Sequence, residues 1–369
     1  MKQFLYFLIL IGCSATTVNA QDKVYNNFID TVSSPGREIY HLWCNYVNSK
    51  TGSVNASKYW DEADVKKYKA YDILLSWGCG GTYSTVSHVL KIKEIDKNIY
   101  LLKVGMTYDA NELGGILQFI VKKENGEYKL SNYLPYNTGN WKHYSTGLLT
   151  FYYPDDYPIN IADAKKSEAF LNKAFKDFDI KAYPISFYAA KGFSDMEEAA
   201  GYESFFHNGV NNAGACFDRR NHLIFSGEGF YHPHELIHII NAQFPKAHSI
   251  FLSGYAGLVG GHFGKPESYH QPRVLDYMET HADSIKNIVD FYYMDPYTNP
   301  TYVIGGLFCE EAVRLGGYDK LKKLFSYGTE DADFYTAIEK EFGISKDKVI
   351  PYVIEKLKDP KLFAKYDKL

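Results

Sequence analysis

The stretch His232-Pro233-His234-Glu235-Leu236-Ile237-His238-Ile239-Ile240 decides how the rest of the chain is read. As a helix, it sets His234 and His238 four residues apart on one face, so both imidazoles can reach one metal ion. Glu235 projects beside them, placed to take a proton from a metal-bound water. Pro233 suits a first helical turn, where its missing N–H is no loss. Leu236, Ile237, Ile239 and Ile240 give the helix an apolar surface to bury. The competing reading is two core histidines beside a chance glutamate, and in a chain with 12 histidines the flanking sequence has to decide.

Upstream, a new pattern begins near Tyr144. Residues 147–153 read as a strand, 161–178 as an amphipathic helix and 185–190 as an apolar strand; 196–201 read as a short acidic helix stopping at Gly201, and 221–226 as another strand. Downstream come Ile250-Phe251-Leu252-Ser253-Gly254-Tyr255-Ala256-Gly257 and Tyr302-Val303-Ile304-Gly305-Gly306-Leu307-Phe308. A helix over 308–315, a stop at Gly316-Gly317, a helix over 319–325 and closing helices to Lys365 follow.

This order of segments, with Gly214-Ala215-Cys216 between the acidic helix and the last strand, resembles the gluzincin metallopeptidases of the aminopeptidase-like (peptidase MA-like) clan. The resemblance covers residues 144–369. It implies an α+β fold: a zincin-like metallopeptidase domain, with a small mixed sheet and a helical C-terminal subdomain, preceded by a small α+β domain. It implies that the strand at 221–226 is the sheet edge that pairs with an extended peptide, and that His234 and His238 bind zinc. By the same resemblance Glu235 is the general base and Tyr302 steadies the oxyanion. The family carries its third zinc ligand, a glutamate, in an apolar-x-Glu-Gly-x-Ala segment. Here Ser253 stands in that place, or the glutamate has been deleted.

Catalytic zinc is normally held by three protein ligands and a water. Substitute donors near in sequence are His262, Glu267, His270, Asp276, Glu279 and His281. His262 follows Gly260-Gly261, where a shifted backbone could present it, and Glu279 falls in Tyr277-Met278-Glu279-Thr280-His281 on an expected helix. Two functions follow: a secreted zinc-dependent metallopeptidase that hydrolyses peptide bonds through a metal-bound water, or a catalytically degenerate relative that binds a peptide or other partner in the same cleft.

Residues 1–20 read as a signal peptide, with Lys2 before an apolar run too short to span a bilayer and Val18-Asn19-Ala20 as the cleavage site. Leu10-Ile11-Gly12-Cys13 also resembles a bacterial lipobox, with Cys13 as a lipid anchor. Both place the mature chain outside the cytoplasm, secreted or periplasmic, and no other run is long enough to be a transmembrane anchor. Net charge is −4, with 23% charged residues and no basic block. That argues against nucleic acid as a partner and leaves a peptide or protein substrate.

Residues 21–143 read as a separate domain: helices over 37–47 and 59–71, then strands over 88–95, 99–108, 115–123 and 127–133, with turns at Asp96-Lys97-Asn98 and Asn125-Gly126. Helices followed by a meander resemble the cone-shaped folds of the nuclear-transport-factor kind. Asp61, Glu62 and Asp64 read as a solvated helix face. The simplest cysteine pairing joins Cys44 to Cys79 and Cys216 to Cys309, with free thiols the alternative.

Overall fold

A computed structural model describes residues 24–27, 29–76, 86–108, 112–204, 214–227, 229–281 and 284–367. The fold is α+β with two mixed sheets. Its compact units are Met1–Asp61 with Gly81–Ser131, and Glu62–Gly80 with Asn132–Leu369. The sequence suggests one passage between domains near Tyr144; the chain instead passes between units at 61/62, 80/81 and 131/132. The reason is hydrogen bonding that no local pattern reveals. Asp64 accepts from the backbone and side-chain N–H of Asn132 at 2.7 and 3.0 Å, and the Asn221 side chain bonds both the N–H and C=O of Ala70 at 2.8 and 2.9 Å.

The first unit holds β1 (Val24–Asn26), α1 (Gly36–Asn48), β2 (Val86–Asp96), β3 (Ile99–Tyr108), β4 (Glu112–Glu124) and β5 (Glu127–Asn132), whose sheet runs β1-β2-β3-β4-β5. β1 lies parallel to β2, while β2, β3 and β4 pair antiparallel. The α1 stripe Ile39, Leu42, Trp43, Tyr46 and Val47 is buried as its helical spacing requires, with the Trp43 and Phe119 rings 5.1 Å apart. At the β4–β5 turn Asn125 and Gly126 take φ 51 and 89, the left-handed pair a two-residue hairpin needs. The helix expected over 59–71 contracts to α2 (Glu62–Lys67), which belongs to the other unit. Trp60 is drawn into extended backbone by a bridge to Leu130, and a helix cannot pass through it. The expected solvated face is also corrected. Asp61 is buried and pairs with Lys122 at 2.9 Å, Asp64 is buried on Asn132, and only Glu62 is exposed.

The second unit continues with α3 (Ile73–Ser76), α4 (Tyr133–Asn137), β6 (Lys142–Thr146), β7 (Leu149–Tyr153), α5 (Ile161–Asp177), β8 (Ile185–Ala189), α6 (Phe193–Ala200), β9 (Tyr202–Ser204), β10 (Ala215–Asp218) and β11 (Leu223–Ser226). The helices α7 (Pro233–Asn241), α8 (Ser249–Gly260), α9 (Glu267–His281), α10 (Pro300–Leu324), α11 (Asp331–Phe342) and α12 (Val349–Leu357) complete it. Its sheet runs β10-β11-β8-β7-β6, parallel at β11–β8 and β8–β7 and antiparallel at both ends. This corrects the expected substrate edge. β11 is sandwiched between β10 and β8, and the terminal strand among the described residues is β10. Alternation within one strand does not say which neighbour will cover it.

The core joins the sheet (Phe151, Phe187, Ile224) to α7 through Leu236, Ile237, Ile239 and Ile240, all at most 1% exposed. α8 crosses α10 closely enough that a Cβ on Gly254 would collide with the backbone of Gly305 and Gly306. α10 starts at Pro300, earlier than the expected 308, because Asn299 caps it by accepting the Thr301 N–H at 3.0 Å and Pro300 sits in the first turn. Its kink falls at Gly316-Gly317, as the sequence suggests.

Cys309 is a free thiol, which overturns the expected Cys216–Cys309 pairing; its Sγ–H is buried against the Phe251 carbonyl at 3.3 Å. Cys44 is free as well, and Cys79 lies outside the described residues, as do residues 1–20 with Cys13. Among the described residues no helix is long and apolar enough to cross a membrane.

Candidate metal centre

His232 precedes α7 and Pro233 opens it, so His234 and Glu235 fall in the first turn and His238 one turn later. The two imidazole centroids are 4.9 Å apart. One potential ligand atom from each of His234, Glu235 and His238 lies within 4.8 Å of the other two. Burial pushes His234 down to about 4 and His238 to about 3, so both are neutral at pH 7, the state in which imidazole offers a lone pair to a metal.

The next element fixes one of the two rings. His234 Nδ1 donates to the Gly261 carbonyl at 2.7 Å, which leaves Nε2 as the unprotonated nitrogen. The approach depends on glycine. A Cβ on Gly260 would collide with the His234 backbone, and Gly261 has φ 71, with a Cβ position that would strike the Lys265 carbonyl. His238 is oriented less favourably. Its Nδ1 faces the Asn241 amide nitrogen at 3.3 Å, and that nitrogen also donates to the Leu252 carbonyl at 2.8 Å. Ligation through His238 Nε2 would require the Asn241 amide to turn its oxygen toward Nδ1.

Tyr302, in the first turn of α10, brings its ring within 5.6 Å of the His234 ring. Burial, then the carboxylates of Glu235 and Glu267, raise its phenol, so it keeps its proton and can donate. His262 lies flat between His270 (3.6 Å) and Tyr302 (4.7 Å), and its Nδ1 bonds Glu267 Oε1 at 2.7 Å. Burial raises Glu267 and lowers His262, so this buried pair rests without net charge.

The suggested third donors separate on position. His270 has both nitrogens engaged, Nδ1 with Thr298 Oγ1 at 3.2 Å and Nε2 with the His262 carbonyl at 3.0 Å. Asp276, Glu279 and His281 are exposed on α9; Glu279 faces Lys358 at 3.5 Å and His281 stacks on Tyr277. None of them lines the cleft. Ser253 is half-buried on α8 and does not line it either. The α8 position that faces Glu267 and Tyr302 is Gly257, one turn further on, where a Cβ would collide with Glu267 Oε1 and press on Tyr302 at 3.0 Å. Only His262 and Glu267 join His234, Glu235 and Tyr302 around the cleft of about 600 Å³. Both keep one buried polar atom without a hydrogen-bond partner, His262 Nε2 and Glu267 Oε2. Neither belongs to the three-residue group around His234. Two neutral imidazoles and nearby carboxylates suit a divalent cation of zinc's kind.

The chain matches no protein-family model, no curated protein and no solved structure.

The cleft wall also carries Gly214 and Ala215, at the start of β10. The sequence singled out Gly214-Ala215-Cys216 as a landmark but gave the edge to β11. Gly257 and the Gly261 carbonyl were missed as well. The Gly260-Gly261 doublet was the available signal, since adjacent glycines after an apolar helix mark a close backbone approach.

Proposed function

We propose that the chain is a zinc-dependent peptidase of gluzincin character whose working groups are His234, Glu235, His238 and Tyr302. The observation that carries the reading is the His–Glu–His group within 4.8 Å, whose His234 and Glu235 line a cleft large enough for a peptide segment. Zinc, when bound, supplies a Lewis acid that polarises a carbonyl and makes water more acidic. His234 and His238 hold it. Glu235 accepts the proton of the attacking water and returns it to the leaving amine. The Tyr302 phenol donates a hydrogen bond to the oxygen that becomes negative as the carbonyl turns tetrahedral. β10, at the end of its sheet and beside the cleft, is the strand along which an extended peptide would lie. The test is turnover of a mixed library of quenched fluorescent peptides by zinc-loaded protein. Cleavage lost in Glu235→Gln with zinc retained supports the reading, and no cleavage by wild type sinks it.

A second reading, a binding module that holds a peptide or other partner without hydrolysing it, draws on the group around His234 having, among the described residues, no further donor beyond Glu235 and His238. It would show as peptide affinity without turnover. The signal peptide and secreted or periplasmic location belong to either reading and rest on residues 1–20 alone.

A further inference from the structure

A carboxyl group with no exposed surface, bonded through one oxygen to a single imidazole, is costly to bury while its other oxygen has no partner. Glu267 is in that position. Its side chain is 0% exposed, Oε1 meets His262 Nδ1 at 2.7 Å, and Oε2 has no hydrogen-bond partner. It is not there for lack of space elsewhere, because the neighbouring helix makes room for it. A Cβ at Gly257 would collide with Glu267 Oε1, so α8 withholds a side chain where the carboxylate enters. Tyr302, whose ring is 5.6 Å from that of His234, borders the same space. His262, held flat between His270 and Tyr302, cannot swing away and keeps Glu267 Oε1 directed.

From this we propose that Glu267 is the third protein donor of the cation held by His234 and His238, entering through the space left by Gly257 with His262 as its positioning residue. The inference rests on the metal reading above and names a donor for it. It requires the unbonded Oε2 to rotate toward the two imidazoles. That motion is confined to one side chain, and since both oxygens turn together about the Cγ–Cδ bond, Oε1 must shift on His262 Nδ1 as Oε2 swings. Glu267 supplies an anionic oxygen beside two neutral nitrogens, a donor set that zinc accepts in a tetrahedral site. The α8 residue need not ligate, since the loop after it brings the carboxylate back to the same place.

The test is zinc affinity by chelator competition, with the visible spectrum of the cobalt(II)-loaded protein as a second readout; neither needs a substrate. Glu267→Gln keeps size and shape but cannot give up a proton to become an anionic donor, and should weaken zinc by more than about 100-fold, beyond what loss of an orienting residue produces. His262→Ala should weaken it by about 10–100-fold, as expected of a positioning residue. The double variant Gly257→Glu/Glu267→Ala, which moves the carboxylate onto α8, should recover zinc affinity relative to Glu267→Ala. In Glu267→Gln the cobalt spectrum should change shape, marking a changed donor set. Equal zinc affinity in wild type and Glu267→Gln overturns the assignment and leaves the peptidase reading in place. Loss of zinc in Glu267→Gln from a wild type that cleaves no peptide supports the donor and sinks the peptidase. A wild type that binds no zinc overturns both.

Discussion

At the scale of single residues, the proposed chemistry divides into holding and turning over. Glu235→Gln keeps the shape of the first turn of α7 and leaves both imidazoles in place. It should therefore retain bound zinc while losing peptide cleavage by about 100-fold or more, read as kcat with metal content measured on the same sample. An equal loss of zinc would make Glu235 a ligand instead of a base. A different carboxyl group gives a pH signature. Glu197, buried on α6, is pushed up to about 7 by burial. Its folded-state value lies above its unfolded one, so the folded chain favours the protonated form. That contribution is full below the unfolded value near 4.5 and is lost as pH rises through about 7. Glu197→Gln should therefore gain on wild type in melting temperature between pH 4.5 and 7; a pH-independent gap would show that Glu197 is not buried as a neutral acid.

At the scale of elements, what could be read in the sequence followed what is local. α7 was readable because a two-histidine spacing, a first-turn proline and an apolar stripe all lie within nine residues. The strands β2 to β5 were readable from a period of two and an Asn-Gly turn. The cleft's other walls were not. Which strand ends the sheet depends on pairing between β10 and β11, and alternation is silent about that. Whether Ser253 or Gly257 faces the site depends on how far α8 slides along α7 through residues 242–248, and sequence spacing does not fix that slide. The start of α10 lies before the expected 308 although Asn299-Pro300, a capping residue followed by a first-turn proline, is a local signal for it. α8 and α10 also set a stability test. Gly254→Ala puts a methyl into the Gly305 and Gly306 backbone and should cost about 3 kcal/mol or more, seen as a lower urea midpoint at unchanged slope. A cost under about 0.5 kcal/mol would mean that the helices do not cross so closely.

At the scale of the whole molecule, the domain boundary is where sequence patterning and structure diverge most. A chain starting at Tyr144 would contain every element from β7 to α12 yet lack residues 62–80, which belong to the same compact unit. Asn221 would lose both bonds to Ala70, and Asp218 its bond from Ser76. Such a chain should be insoluble or melt without a cooperative transition. In the intact chain, Asn221→Ala should lower stability by about 2 kcal/mol, the cost of two lost hydrogen bonds. A truncated chain that melts as cooperatively as the full one would show that residues 62–80 are dispensable.

The most direct measurement is zinc content by elemental analysis after dialysis of the full chain against micromolar zinc, with His238→Ala treated alongside. Wild type should retain about one zinc per chain, the number one site accommodates, and His238→Ala should retain none. Zinc-free wild type, or equal zinc in both proteins, would contradict a metal centre built on His234 and His238.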